Sequence, residues 1–177
     1  MRIYTRAGDD GTTGLLFGGR VRKDSPVPVA CGDVDEAQAA LGLARSAADR
    51  DSELDTLVVG IQRQLWVLMA ELSTAAENRE KLRAGQTLVT ADMVTGLELL
   101  IDDLAARAEV PTEFVVPGQT PSAAFLDLAR TIVRRAERHV LGVAAEGSQV
   151  VPYLNRLSDL LWTMARWREG QSLTARQ

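Results

Sequence analysis

Cysteine occurs once, as Cys31, and histidine once, as His139. A lone cysteine excludes an intramolecular disulfide and any metal site built on several thiolates. It fits a reducing compartment and reads as a small buried hydrophobe rather than a nucleophile. His139 reads as an ordinary helix-surface histidine, and no Ser/His/Asp set or Cys/His pair suggests nucleophilic catalysis. Aromatic residues make up only 5% of the chain. No run approaches the ~18 apolar residues of a membrane span, and no signal-peptide pattern opens the chain, so a cytoplasmic protein without a membrane partner is expected. Positive charge is not in excess: 20 Lys and Arg against 24 Asp and Glu give a net charge of -4. Bulk affinity for nucleic acid is therefore not expected. Internal repeats are absent, and so is the G-x-x-x-x-G-K-[ST] phosphate loop.

What is present is helical. The 177 residues are 46% hydrophobic and 25% charged, enough for one domain with a proper core. Residues 1–32 stand apart, with a short extended start at residues 1–6 and a Gly/Asp/Thr-rich loop at residues 7–14. Such a loop is either a plain turn or a cradle whose backbone N–H groups approach phosphate. A first helix is expected from Asp33, with Asp33 and Glu36 as a capping box and Val34, Ala37, Leu41, Ala44 and Ala48 inward. Asp35 then sits in its first turn. Ser52 caps a second helix whose Leu54, Val58, Ile61, Leu65, Leu68 and Leu72 form a bundle seam. Residues 76–89 read as a loop, and a third helix spans about 90–108. Pro111, Phe114, Pro117 and Gly118 mark a connector. Thr120-Pro121 starts a fourth helix, ending near Ala145, and a fifth runs over about 149–169. On the fifth, Asn155, Asp159, Trp162 and Arg166 share a stripe about 60° wide, suited to an interface, a ligand or solvent.

The fourth helix is the informative one. Arg130, Arg134, Glu137 and Arg138 fall within about a 100° arc, beside a separate apolar arc of Phe125, Ala129, Ile132, Val133, Ala136 and Val140. Guanidinium forks suit polyphosphate because each donates parallel hydrogen bonds to anionic oxygens. The pattern also fits a solvated face laced with ion pairs, Arg134 with Glu137 among them.

Several segments together are specific. Tyr4-Thr5-Arg6-Ala7-Gly8-Asp9-Asp10-Gly11-Thr12-Thr13, Arg20-Val21-Arg22-Lys23-Asp24 and Val34-Asp35-Glu36 precede Phe114-Val115-Val116-Pro117-Gly118, Ala129-Arg130-Thr131, Arg134-Arg135-Ala136-Glu137-Arg138 and Tyr153-Leu154-Asn155-Arg156-Leu157-Ser158-Asp159. Over about residues 3–168 the chain resembles the PduO-type ATP:cob(I)alamin adenosyltransferases. The resemblance implies an all-α five-helix bundle with an irregular N-terminal nucleotide loop, forming a homotrimer with ATP at each subunit interface. The single domain would comprise the ATP loop at 1–32, the bundle at 33–170 and a flexible tail at 171–177. Thr5, Arg6, Ala7, Gly8, Thr13, Lys23, Arg134, Arg135, Glu137, Arg138 and Asn155 would hold ATP, with Mg²⁺ on the triphosphate; no metal ligand is identified in the chain.

By the same resemblance, the cobalt of cob(I)alamin attacks C5′ of ATP and triphosphate leaves. Arg134 would stabilise that leaving group, Phe114 would occupy the cobalt's lower face, and an Asp35–Arg130 salt bridge would support the corrinoid site. A flavoprotein reductase would supply the electron, and an adenosylcobalamin-dependent enzyme would take the product. Cobalamin chemistry needs no protein nucleophile, which accords with the missing triad. The chain departs from the family pattern at Ala7, Cys31-Gly32, Gln38, Gln119 and Asp127. Gln38, Gln119 and Asp127 are expected towards the corrinoid, and a non-catalytic sensor or delivery chaperone binding ATP or adenosylcobalamin is the alternative they motivate. A plain helical interaction module is the third reading.

Overall fold

The computed structural model describes residues 3–176. The first two residues of the expected extended start, and Gln177 of the expected tail, lie outside them. Two short antiparallel strands, β1 (Thr12–Gly14) and β2 (Arg20–Arg22), form a hairpin that precedes the helices. Helices follow as α1 (Pro26–Ser46), α2 (Glu53–Leu72), α3 (Ala91–Arg107), α4 (Pro121–Val140) and α5 (Val150–Glu169), with a 3₁₀ turn at Ala76–Lys81. The fold is thus mostly helical rather than strictly all-α.

Caps explain most boundaries. Ser52, Thr90 and Thr120 each accept a hydrogen bond from the backbone N–H three residues on, and Pro121 supplies a preset φ at the first position of α4. The start of α1 corrects the sequence reading. It begins seven residues before Asp33, at Pro26, where a missing N–H is harmless. Asp33 therefore lies inside the helix and is buried against α4. At the far end, α4 closes at Val140 rather than near Ala145.

Packing places α1 between α2 and α4, and α5 between α4 and α3. One core of Leu, Val, Ile and Ala runs through all five helices, built on the expected inward faces. The Tyr153 hydroxyl donates to Gln64 Oε1 at 2.7 Å, tying α5 to α2 across it. The Glu71 carboxylate, almost fully buried, accepts from Arg79, the Val89 N–H and Ser148, binding the 3₁₀ segment and two loops to the end of α2.

Two features organise the ends of the bundle. Asp33, near the start of α1, meets Arg135 and His139 near the end of α4, so these helices run antiparallel. The N-terminal hairpin docks where α2 ends, with the Leu16 N–H donating to Ser73 O at 2.8 Å. Hairpin, α1 start, α4 end and α5 start thus share one end of the molecule. The opposite end carries Phe114, Arg130 and Trp162. Residues 171–176, expected as a flexible tail, return there and pair with Phe114–Val116.

Candidate functional site

At the hairpin end, the loop of residues 5–13 is folded by its own polar groups. The Asp10 carboxylate accepts from Thr12 N (2.9 Å) and Thr12 Oγ1 (2.8 Å), bonds that pull its pKa down. Arg20 closes the loop from β2, donating to Ala7 O (2.5 Å) and Thr12 Oγ1 (2.6 Å). Arg20 was not among the expected site residues, because pairing across a hairpin leaves no local signal. Thr5 Oγ1 accepts from the Ala7 N–H at 3.3 Å, and Arg6 adopts φ 61°, leaving this loop curled. Lys23 spans the concavity: a Cβ added to Gly8 would stand 3.0 Å from Lys23 Nζ and 3.1 Å from Thr12 O. Close approach rather than φ favours glycine there, since a Cβ would press on Thr12 O and push the Lys23 tip aside. Among the described residues Lys23 has no ion-pair partner; its N–H donates to Gly11 O at 2.9 Å, while Thr13 on β1 stands opposite Val21.

The helical stripe divides into residues of different kinds. Arg134 and Arg138 are exposed and pair with no carboxylate among the described residues; Arg138 Nη1 donates to Arg134 O at 2.8 Å. The Glu137 carboxylate accepts from Asn155 Nδ2 at 3.0 Å, so the Asn155 amide, and not Arg134, is its partner. Arg135 falls elsewhere. One residue of helix turns it by about 100°, towards α1, where Asp33 Oδ1 accepts from Arg135 Nε at 2.9 Å and Glu36 also binds it. In the single chain it is thus a neutralised tie between α4 and α1, unlike its neighbour Arg134. His139 joins the same cluster through Asp33, so it is not a free surface histidine.

The other end of the stripe opens into a cavity of about 640 Å³ lined by Phe114, Val115, Asp127, Arg130, Trp162 and Arg176, among others. Phe114 is 88% exposed, a ring standing at the cavity without a packed neighbour face. The expected Asp35–Arg130 bridge does not form within the chain. Arg130 Nε instead donates to Asp127 Oδ1 at 3.0 Å, one turn back on its own helix. Asp35 is exposed on a different face of α1, in an apolar groove with Cys31, Trp66 and Met69.

Asp127 is buried and bridges two guanidiniums, since Arg166 Nη2 donates to its second oxygen at 2.5 Å. Arg166, read from the sequence as a member of a polar outer stripe, has a fully buried side chain. It also pairs with Glu169 (3.0 Å) and lies over the Trp162 ring, 5.7 Å from its centroid. Burial raises the Cys31 thiol to about 11. At pH 8 only about one thiol in a thousand is then ionised. Iodoacetamide should label Cys31 at least about 10-fold more slowly than free cysteine, measured by mass spectrometry; labelling at the free-thiol rate would refute its shielding.

The chain thus presents a cationic stripe about 12 Å long from Arg130 to Arg138, at 1.5 Å per residue, with a Gly/Lys loop at one end of the bundle and an aromatic cavity at the other. Comparison with known proteins decides what family builds this. The cobalamin adenosyltransferase family model matches residues 3–168. The chain belongs to the cobalamin adenosyltransferase family.

Relatives of this adenosyltransferase-family chain agree along its length. It is 41% identical over 175 residues to the corrinoid adenosyltransferase PduO of Salmonella typhimurium, covering 97% of this chain and 51% of that protein. The chain therefore spans about half the length of that relative. It is 40% identical over 191 residues to a corrinoid adenosyltransferase of Mycobacterium tuberculosis, covering 98% and 96% of the two chains. Its fold is similar to that of a variant PduO-type ATP:corrinoid adenosyltransferase from Lactobacillus reuteri complexed with cobalamin and ATP, with a TM-score of 0.88, 28% identity, and 99% and 97% of the chains covered.

The departures from the family pattern now have places. Asp127 is an internal counter-ion rather than a free carboxylate in the cavity. Gln38 lies on α1 facing α2, where its backbone O accepts from Gln62 Nε2 at 3.0 Å and its own Oε1 is buried without a partner among the described residues. Gln119 is exposed, in the loop before Thr120.

Proposed function

We propose that this adenosyltransferase-family chain transfers the 5′-deoxyadenosyl group of ATP to the cobalt of cob(I)alamin, releasing triphosphate. The observation that carries the reading is the pair of unneutralised guanidiniums, Arg134 and Arg138, on the helix that also walls the Phe114 cavity. In the reaction the Co(I) electron pair forms the Co–C5′ bond. The C5′–O bond breaks, and its electrons depart on the triphosphate. No proton need move at the reacting carbon, so the chain's task is to align two substrates and stabilise a departing polyanion.

Arg134 and Arg138 bind and stabilise the triphosphate. Glu137 and Asn155 brace one another beside them, and the Thr5–Gly8 loop, Thr13 and Lys23 close over the nucleotide. Mg²⁺ enters as the counter-ion of ATP, held chiefly by the phosphates and water.

A homotrimer completes the site. No hydrogen bond or ion pair among the described residues joins Thr5–Lys23 to Arg134 or Arg138 in one chain. Asp35 and Arg130 are similarly apart, each on an accessible face. Trp66, 66% exposed in the groove beside Asp35, is the kind of apolar surface a neighbouring subunit covers. ATP then lies between the loop of one subunit and α4 of the next, with the Asp35–Arg130 pair formed across the same contact.

Phe114 takes the lower face of the corrinoid, excluding a ligand there so that Co(II) accepts an electron from a flavoprotein reductase more easily. Phe114→Ala should slow adenosylation from cob(II)alamin about 10²-fold, and adenosylation of pre-reduced cob(I)alamin far less, because only the first route needs a displaced lower ligand. Equal losses in parallel anaerobic assays would remove this role. The catalytic reading prevails over a sensor or chaperone because Asp127, the departure of greatest electrostatic weight, is already compensated by Arg130 and Arg166.

The direct test is an anaerobic absorbance time course with Mg-ATP and cob(I)alamin. Protein-dependent formation of a light-labile adenosylcobalamin spectrum is the expected result. Nucleotide binding without that spectrum would overturn transfer and favour the non-catalytic reading.

A further inference from the structure

The cavity at the Phe114 end has a wall that neither the Arg stripe nor the loop supplies. Gly170, at φ 71°, turns the chain off α5. Ser172 Oγ then donates to Glu169 at 3.1 Å, anchoring the exit to the buried Arg166–Glu169 pair. Beyond it, Val116 N–H donates to Leu173 O at 2.8 Å and Ala175 N–H donates to Phe114 O at 2.7 Å, on either side of an antiparallel Val115–Thr174 bridge. No other hydrogen bond holds residues 112–118 among the described residues. Ala175 and Arg176 also line the same cavity as Phe114, Asp127 and Arg130.

An exposed aromatic ring is placed by its backbone when its side chain packs on nothing. The Phe114 segment lies in a Pro-flanked connector with no helix or sheet of its own. Its position is therefore set by the two main-chain bonds to the tail, and the tail is set by a buried ion pair. Residues 171–176 lie beyond the family model's 3–168 span, while the structural likeness extends over 99% of the chain.

We propose that residues 171–176 are a positioning strap for Phe114, fixing the ring's height over the corrinoid's lower face. This rests on the adenosyl-transfer reading above. The strap touches no reacting atom; it acts through the connector that carries Phe114. Main-chain pairing suits such a role because it fixes the strand while leaving the ring free to meet a ligand.

The test uses two variants of the full protein: Ala175→Pro, which removes the N–H that reaches Phe114 O, and a chain ending at Gly170. Cob(II)alamin is added with Mg-ATP, and the four-coordinate Co(II) fraction is read by electron paramagnetic resonance. Both variants should lose at least about 5-fold of that fraction, and adenosylation from cob(II)alamin with a chemical reductant should fall about 10-fold. ATP affinity should be retained, since the nucleotide loop lies at the other end of the bundle. Faster amide exchange at Val116 should accompany the loss. A wild-type four-coordinate fraction in both variants, with wild-type enzyme active, would overturn the strap alone. A wild-type protein that forms neither four-coordinate Co(II) nor adenosylcobalamin would overturn the transfer reading, and the strap's role with it.

Discussion

Arg134→Ala should lower kcat/KM for ATP by about 10²-fold, roughly 3 kcal/mol of transition-state stabilisation, while leaving Tm nearly unchanged. The separation follows from geometry. Arg134 is exposed and binds no carboxylate, so its removal breaks nothing in the resting fold. Its energetic contribution appears only when a polyanion is bound and gains negative charge on departure. Arg135→Ala, one residue on, should do the reverse. It strips a guanidinium from Asp33 and Glu36, lowering Tm by about 3 °C for a half-exposed pair, with kcat/KM for ATP within about threefold of wild type. Thermal melts and steady-state kinetics on the two variants check both halves. A kinetic defect in Arg135→Ala as large as that in Arg134→Ala, at unchanged stability, would show that the neutralised residue binds nucleotide after all.

Arg166→Met should be the most destabilising single change, costing about 3–5 kcal/mol, on the order of 10 °C in Tm. Arg166 is the largest fully buried side chain and lies between the carboxylates of Asp127 and Glu169. Methionine fills similar space but leaves both charges in the interior without their shared guanidinium. Asp127 retains Arg130, so a second substitution discriminates between charge and packing. Asp127→Asn in the Arg166→Met background should recover part of the loss if uncompensated charge is the cause. Denaturant unfolding of the two single variants and the double variant gives the coupling energy. Strict additivity would mean that Arg166 stabilises mainly by filling volume.

The contrast between these arginines also shows what was legible before the structure. The 3.6-residue seam of α2, the apolar arc of α4, and the Ser52 and Thr120-Pro121 starts are local signals, and these helices begin where those signals put them. The beginning of α1 was hidden because Asp33 and Glu36 imitate a capping box, whereas both carboxylates serve a partner on α4, about one hundred residues away. Arg134 and Arg135 are neighbours in a motif, yet helix geometry sends one to solvent and the other to α1. Arg166 shares a polar stripe with more accessible residues and gives no sign of burial, because the carboxylate it meets across the core, Asp127, comes from α4. The tail's pairing with Val115 and the Arg20 clasp on the loop are likewise long-range contacts without a sequence period. The candidate nucleotide residues and Phe114 were reached through a resemblance of motifs; the ends of the bundle on which they sit required coordinates.

The straight run of α4 from Arg130 to Arg138 has a mechanical meaning. A helix is a ruler whose graduations also rotate, so the span between the cavity and the outer guanidinium is locked to the angle between them. Lengthening that interval by one residue would move Arg138 outward by about 1.5 Å and swing it by about 100°, off the Arg134 face. Only steps of whole turns preserve alignment, and these change reach by about 5.4 Å each. Under the proposed adenosyl transfer, the distance between a polyphosphate on Arg138 and a large metal-bearing ring at Phe114 is therefore quantised by the backbone.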